Sequence, residues 1–124
     1  MLIFGCRSPE SDYYYEDEWE RIRAQTGSRL TVITAFSRAD PAAGKVYVQH
    51  KIREHGALLS DLILRQDACV FVSGRAKLMP KAVEKAFTEV IGDALEVQNH
   101  DLDKRAVEYV TLMKKSKRYQ QEVW

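Results

Sequence analysis

Residues 29–36 read "RLTVITAF", and Ser37 and Arg38 follow without a break. Val, Ile, Thr and Phe suit a pleated, buried surface, so the run predicts a strand. Where it stops, a hydroxyl and a guanidinium stand side by side. After a polar loop holding Asp40, Pro41 and Gly44 come Lys45, Tyr47 and Gln49. Outward from this stretch, short apolar β-rich runs alternate with longer stretches of 3.6-residue period, the pattern of an α/β domain with a mostly parallel sheet.

Upstream, Leu2 to Gly5 predict a first strand, Asp12 to Tyr15 a turn, and Glu16 to Ala24 a helix ended by Gly27, with Trp19, Ile22 and Arg23 spaced for a partly apolar face. Downstream, Val46 to Glu54 and Ala57 to Arg65 read as helices separated by Gly56, the second pairing Leu58 with Leu62 and Leu59 with Ile63. Ala68 to Val72 is a continuous apolar run of strand length, expected to be buried on both faces and stopped by Ser73-Gly74. Pro80 suits the first turn of a helix whose stripe is Val83, Ala86, Phe87 and Val90, with Gly92 as its terminator. Asp101 is placed to cap a last helix bearing Leu102, Ala106, Tyr109, Val110 and Met113 on one side, and Tyr119 to Trp124 read as a short extended tail.

The 124 residues, 45% hydrophobic, suffice for one domain with a real core but not for two. With 19 Lys plus Arg against 18 Asp plus Glu, a net charge of +1 gives no general attraction to nucleic acid or an anionic membrane, so any anion site must be local. Cys6 and Cys69 belong to no CxxC or Cys/His cluster, which argues against a disulfide scaffold or structural zinc and for a cytoplasmic chain with reduced thiols. No apolar run reaches membrane-spanning length. A strand that starts almost at Met1 suggests a piece of something longer.

In open α/β sheets ligands sit beyond the carboxyl ends of the strands. That singles out Gly5-Cys6-Arg7, Ser37-Arg38 and Ser73-Gly74-Arg75. A ribose phosphate dianion needs several donors, and Ser37, Arg38 and Lys45 offer a hydroxyl, a planar fork and a point charge. Tyr47 can stack on adenine and Gln49 can bond a ribose or phosphate oxygen, a set that favours NADP over NAD. On composition alone a plainer reading stands beside it: a turn serine, two solvated surface charges and a half-buried tyrosine. Tyr13, Tyr14 and Tyr15 precede the acidic Glu16-Asp17-Glu18 and are expected to pack a loop on the sheet edge or face a neighbouring domain. Trp124, with no chain beyond it, reads either as an aromatic docked on the surface or as a stacking lid over a planar ligand. No metal site is expected.

Taken together, "FGCR" at 4–7, "DEW" at 17–19, "AFSR" at 35–38, "KVYVQHKIRE" at 45–54, "MPKAVEKA" at 79–86 and "RYQQEVW" at 118–124 occur in the order found in one family. The chain resembles the C-terminal NADPH-binding portion of the diflavin reductases, the group that includes NADPH-cytochrome P450 reductase and the diflavin oxidoreductase of cytosolic iron–sulfur protein assembly. The "MP" opening and Glu122 make it most similar to the iron–sulfur branch. The resemblance implies a ferredoxin-NADP-reductase-like, Rossmann-like parallel sheet, with 1–124 a partial NADP-binding domain starting after the family's central strand and glycine-rich loop, and 118–124 a flavin-stacking tail. It implies that Ser37, Arg38, Lys45 and Tyr47 bind the 2′-phosphate, Gln49 the adenosine end and Arg7 the pyrophosphate and ribose region. Trp124 would stack on the flavin, Glu122 would lie near hydride transfer, and Ser73 would stand where P450 reductases have a cysteine.

Arg75 and Ala82 depart from acidic positions of the family, and the loop Ala39–Gly44 is longer. The implied parent passes electrons from NADPH through FAD and FMN to a protein acceptor, an iron–sulfur protein in that branch, and this chain alone is expected not to turn over. A sheet without its centre is expected to expose an apolar seam. Two other functions fit the sequence: a non-catalytic interaction module using the Tyr-rich loop or that seam, and a single-flavin ferredoxin-NADP reductase relative.

Overall fold

The apolar runs become strands and the periodic stretches become helices in the computed structural model, which describes residues 1–39, 44–95 and 102–124. In chain order these are β1 (Leu2–Cys6), α1 (Pro9–Asp12), α2 (Glu16–Thr26), β2 (Val32–Phe36), α3 (Val48–Glu54), α4 (Gly56–Arg65), β3 (Val70–Gly74), α5 (Met79–Ala94), α6 (Leu102–Lys115) and β4 (Tyr119–Val123). Two compact units divide the chain, Met1–Lys51 and Ile52–Trp124.

In the first unit β1 and β2 pair in parallel, Leu2 with Val32 through Cys6 with Phe36. Alternation puts Phe4, Cys6 and Phe36 on one face and Gly5 and Ala35 on the other. Tyr13 closes the aromatic face: its ring centroid lies 5.5 Å from Phe36 and 5.4 Å from Trp19, and Phe4 meets Trp19 edge-on at 4.8 Å. The Tyr-rich run therefore packs through its first member only, Tyr14 and Tyr15 being 62% and 66% exposed. Glu16, Asp17 and Glu18 fill the first turn of α2, where carboxylates suit the helix dipole. Gly27, at φ 60°, ends α2 as expected.

In the second unit α5 lies between α4 and α6, and β3 pairs in parallel with β4, Val70 with Tyr119 through Gly74 with Val123. Leu59, Ile63, Val72, Val83, Phe87, Ile91, Val110 and Met113 form its core. Tyr119 joins it, its ring edge-on to Phe87 at 6.1 Å, and burial pushes its phenol up to about 12.

Several expectations are corrected. The third strand runs through Ser73 and Gly74 rather than stopping at them, because β4 supplies their backbone with a partner. Cys69 falls outside that strand and is exposed, and Phe71 is 72% exposed, so the strand is not buried on both faces. Gly92 does not end α5; it is buried within the helix, facing Ala106, and the helix continues to Ala94. Gly56 opens α4 rather than standing between two helices. The extended final residues Tyr119–Val123 pair as a strand. The sheet comes as two separate parallel pairs, β1-β2 and β3-β4, so each strand has an edge unpaired among the described residues. Asp40, Pro41 and the expected cap Asp101 lie outside the described residues.

Candidate functional site

Pairing between β1 and β2 continues past the strands. The Ser37 N–H donates to the Cys6 carbonyl at 2.9 Å and the Arg38 N–H to the Arg7 carbonyl at 2.7 Å. The Ser37 hydroxyl donates to the same Cys6 oxygen at 3.3 Å, a long bond that a charged acceptor competes with easily. Arg7, Ser37 and Arg38 thus sit together at one strand end. Burial is the main reason the half-buried Cys6 thiol is raised above its ordinary pKa, with the Asp12 charge adding to it.

On the other face, Gly5 sits opposite Ala35, and a Cβ at residue 5 would lie 2.8 Å from Val48 Cγ1. The missing side chain lets the start of α3 come down on β1. This places Tyr47 and Gln49, on either side of Val48, near the same strand end. Tyr47 is exposed; its N–H donates to His50 Nδ1 at 3.2 Å, and the two rings lie 5.7 Å apart. Lys45 is exposed just before it.

Arg7 is held by Asp12. Arg7 Nε donates to Asp12 Oδ2 at 3.0 Å, while Asp12 Oδ1 accepts from the Arg7 N–H at 2.8 Å, the Ser11 hydroxyl at 2.9 Å and the Ser8 N–H at 3.2 Å. Burial alone would raise the Asp12 carboxyl, but the guanidinium and these donors outweigh it and hold it down to about 2. The same contact raises Arg7.

In the second unit, register puts Ser73 opposite Glu122, both exposed. The Trp124 N–H donates to the Gly74 carbonyl at 3.2 Å, and the Trp124 carbonyl accepts from Ala76 N–H at 2.8 Å. The last residue's backbone is therefore fixed while its side chain stays open, the residue being 75% exposed. Arg75 is exposed directly after β3, and Ala82 is half-buried in α5. Of the sequence-predicted residues, Arg7, Ser37 and Arg38 meet at one strand end in the first unit, and Ser73 and Glu122 are register partners in the second.

Three residues that organise their surroundings were not candidate site residues in the sequence: Asp12, His50 and Arg118. Arg118 Nη2 donates to the carbonyls of Ile63 at 2.7 Å and Ala68 at 3.1 Å, and Nη1 reaches the Tyr109 hydroxyl at 3.4 Å. It ties the C-terminal end of α4 to the start of β4. An arginine just before an apolar tyrosine was the available signal, but its acceptors are far away in the chain. Among the described residues no three His, Cys, Asp or Glu side chains are grouped to hold a metal, and no helix is long and apolar enough to cross a membrane.

The family model described as the oxidoreductase NAD-binding domain matches residues 1–85. The chain is 42% identical over 124 residues to an NADPH–cytochrome P450 reductase of Aspergillus niger, an alignment covering 100% of the chain and 17% of the relative. It is 41% identical over 125 residues to NADPH-dependent diflavin oxidoreductase 1 of Xenopus laevis, covering 99% of the chain and 19% of the relative. A reductase of Candida maltosa is 36% identical over 124 residues, again 100% of the chain and 17% of the relative. The chain spans less than a fifth of the length of these relatives.

Proposed function

The chain belongs to the oxidoreductase NAD-binding domain family, and from that premise we propose that its first unit holds the 2′-phosphate and adenosine of NADPH at the shared end of β1 and β2. The observation that carries this is the pair of backbone bonds from Ser37 to Cys6 and from Arg38 to Arg7, which set one hydroxyl and two guanidinium-bearing residues at one strand end. The donor set fits the group. A dianion takes a fork from Arg38, a short bond from Ser37 and point charge from Lys45, with Tyr47 against adenine, Gln49 on ribose and Arg7 toward the pyrophosphate. Such a site prefers NADP to NAD because the second cofactor lacks the charged ester.

The reading extends to the second unit, where Ser73, Glu122 and Trp124 would face the nicotinamide and a flavin, with 118–124 as the stacking tail of an NADP-binding portion made by 1–124. Bound NADPH supplies a hydride, and in a parent enzyme of the diflavin type FAD and FMN would relay the electrons to a protein acceptor. The relatives named for P450 reduction and for diflavin oxidoreduction are nearly equally similar to the chain. Glu122 and the "MP" opening of α5 support the finer choice of a cytoplasmic enzyme of iron–sulfur protein assembly, with an iron–sulfur protein as acceptor.

Retention on immobilised 2′,5′-ADP tests the reading. The chain is expected to bind and to prefer NADP⁺ to NAD⁺ in calorimetric titration, and Arg38→Ala is expected to weaken NADP⁺ about 10- to 100-fold, the worth of a charge-assisted pair. A folded chain with no retention favours a second reading, an interaction module, for which the exposed Tyr14 and Tyr15 beside an acidic turn are the supporting feature.

A further inference from the structure

Asp12 lies outside the donor set assigned above and touches it only through Arg7. Its two oxygens have different work. Oδ1 accepts from three groups of its own turn, the N–H groups of Arg7 and Ser8 and the Ser11 hydroxyl, so the carboxylate is fixed in place before the guanidinium is considered. Oδ2 takes the guanidinium by Nε alone. Among the described residues, neither Nη1 nor Nη2 of Arg7 has a protein partner, and the Arg7 side chain is 58% exposed against 17% for Asp12.

An arginine offers an anion two bidentate edges, the side edge that includes Nε and the end edge of Nη1 and Nη2. Asp12 occupies the side edge and cannot slide to the end without giving up its turn. What is left is an end-on fork whose backbone carbonyl is itself bonded to the Arg38 N–H. We propose that Asp12 is a positioning residue that holds the Arg7 guanidinium end-on toward a phosphate of the nucleotide. The proposal rests on the nucleotide reading and adds to it a means by which a long, exposed side chain is ordered before the ligand arrives, which lowers the cost of binding. The carboxylate also subtracts positive charge from the site. The phosphate meets the guanidinium at its other, exposed edge, so part of that loss is screened by solvent there, whereas the ordering is retained.

The test compares two probes by calorimetry: NADP⁺, which carries the pyrophosphate, and 2′-AMP, which carries only the ester at the Arg38 end. Asp12→Asn is expected to weaken NADP⁺ about three- to tenfold, the cost of ordering one long side chain. It is expected to leave 2′-AMP within about twofold, an effect too small to need a lost contact. Once Arg7 is Ala, the same substitution is expected to add nothing, and Glu10→Gln in the same turn is expected to change neither ligand.

Unchanged or tighter NADP⁺ binding by Asp12→Asn overturns the proposal, as does an equal loss for both probes, which marks a merely structural role. Absence of any binding of 2′,5′-ADP by the unsubstituted chain removes the nucleotide reading and this proposal with it. A second measurement needs no ligand and no Asp12 variant. The Arg7 Nε–H resonance, identified by its loss in Arg7→Lys, is expected to exchange slowly with water in the unsubstituted chain; a freely exchanging Nε–H overturns the proposal even where the Asp12 variants fail to fold.

Discussion

A single methyl group separates β1 from a clash. Gly5 has Val48 above it, so Gly5→Ala forces α3 to shift and is expected to cost about 1–3 kcal/mol in urea unfolding, the range for overpacking. Adding Val48→Ala should restore most of that loss; a double variant no better than Gly5→Ala would show that residue 5 acts otherwise. Asp12 makes a prediction in pH. Its carboxyl pKa is lowered in the folded chain to about 2, so its contribution is complete above the ordinary carboxyl value and fades as pH falls from about 4 toward 2. The Arg7 Nε–H signal should therefore persist at pH 4 and weaken on the approach to pH 2. Both residues show how little of the site's support was legible. Ser37 and Arg38 could be singled out because they end an apolar run, whereas the need for glycine at residue 5 is created by a helix that arrives much later in the chain.

Among the elements, β4 depends most on a side chain that precedes it. Arg118 bonds the carbonyl of Ile63 in the last turn of α4 and that of Ala68 just beyond it, so Arg118→Ala leaves them without that donor and is expected to cost about 2–4 kcal/mol in chemical unfolding. Asp67 also contacts this guanidinium, at 3.2 Å, but is 88% exposed on its side chain, so Asp67→Asn should stay within about 0.5 kcal/mol. Equal effects from the two would refute the distinction between half-buried carbonyl bonds and a screened ion pair. In α5, a Cβ at Gly92 would sit 3.5 Å from the Ala106 Cβ, an ordinary contact, so Gly92→Ala should raise the unfolding free energy by up to about 1 kcal/mol in urea unfolding. The sequence suggested a terminator there because glycine commonly ends helices. Packing against α6 instead keeps the helix going, and the small residue brings the two helices close.

At the scale of the whole molecule, each pair of parallel strands has unpaired edges among the described residues, and β3 carries Phe71 at 72% exposure. Apolar strands with free edges associate with one another. Phe71→Lys is expected to reduce self-association in light scattering while moving stability by no more than about 0.5 kcal/mol, since the side chain is already in water. Persistent association in that variant would place the contact elsewhere. Local pattern was enough to establish the α/β class, the helix faces of α5 and α6 and a strand ending at Phe36, though that strand begins at Val32 rather than Arg29, because periodicity and β-branched runs record burial along a single segment. It was not enough for β4, whose Gln120, Gln121 and Glu122 are all exposed and look like any polar tail. Only the parallel ladder with β3 makes it a strand and sets Glu122 opposite Ser73. The Arg7–Asp12 pair and the Arg118 knot were likewise decided by tertiary structure, because a polar side chain's role follows from which donors and acceptors the fold brings within bonding distance, and sequence spacing does not specify those meetings.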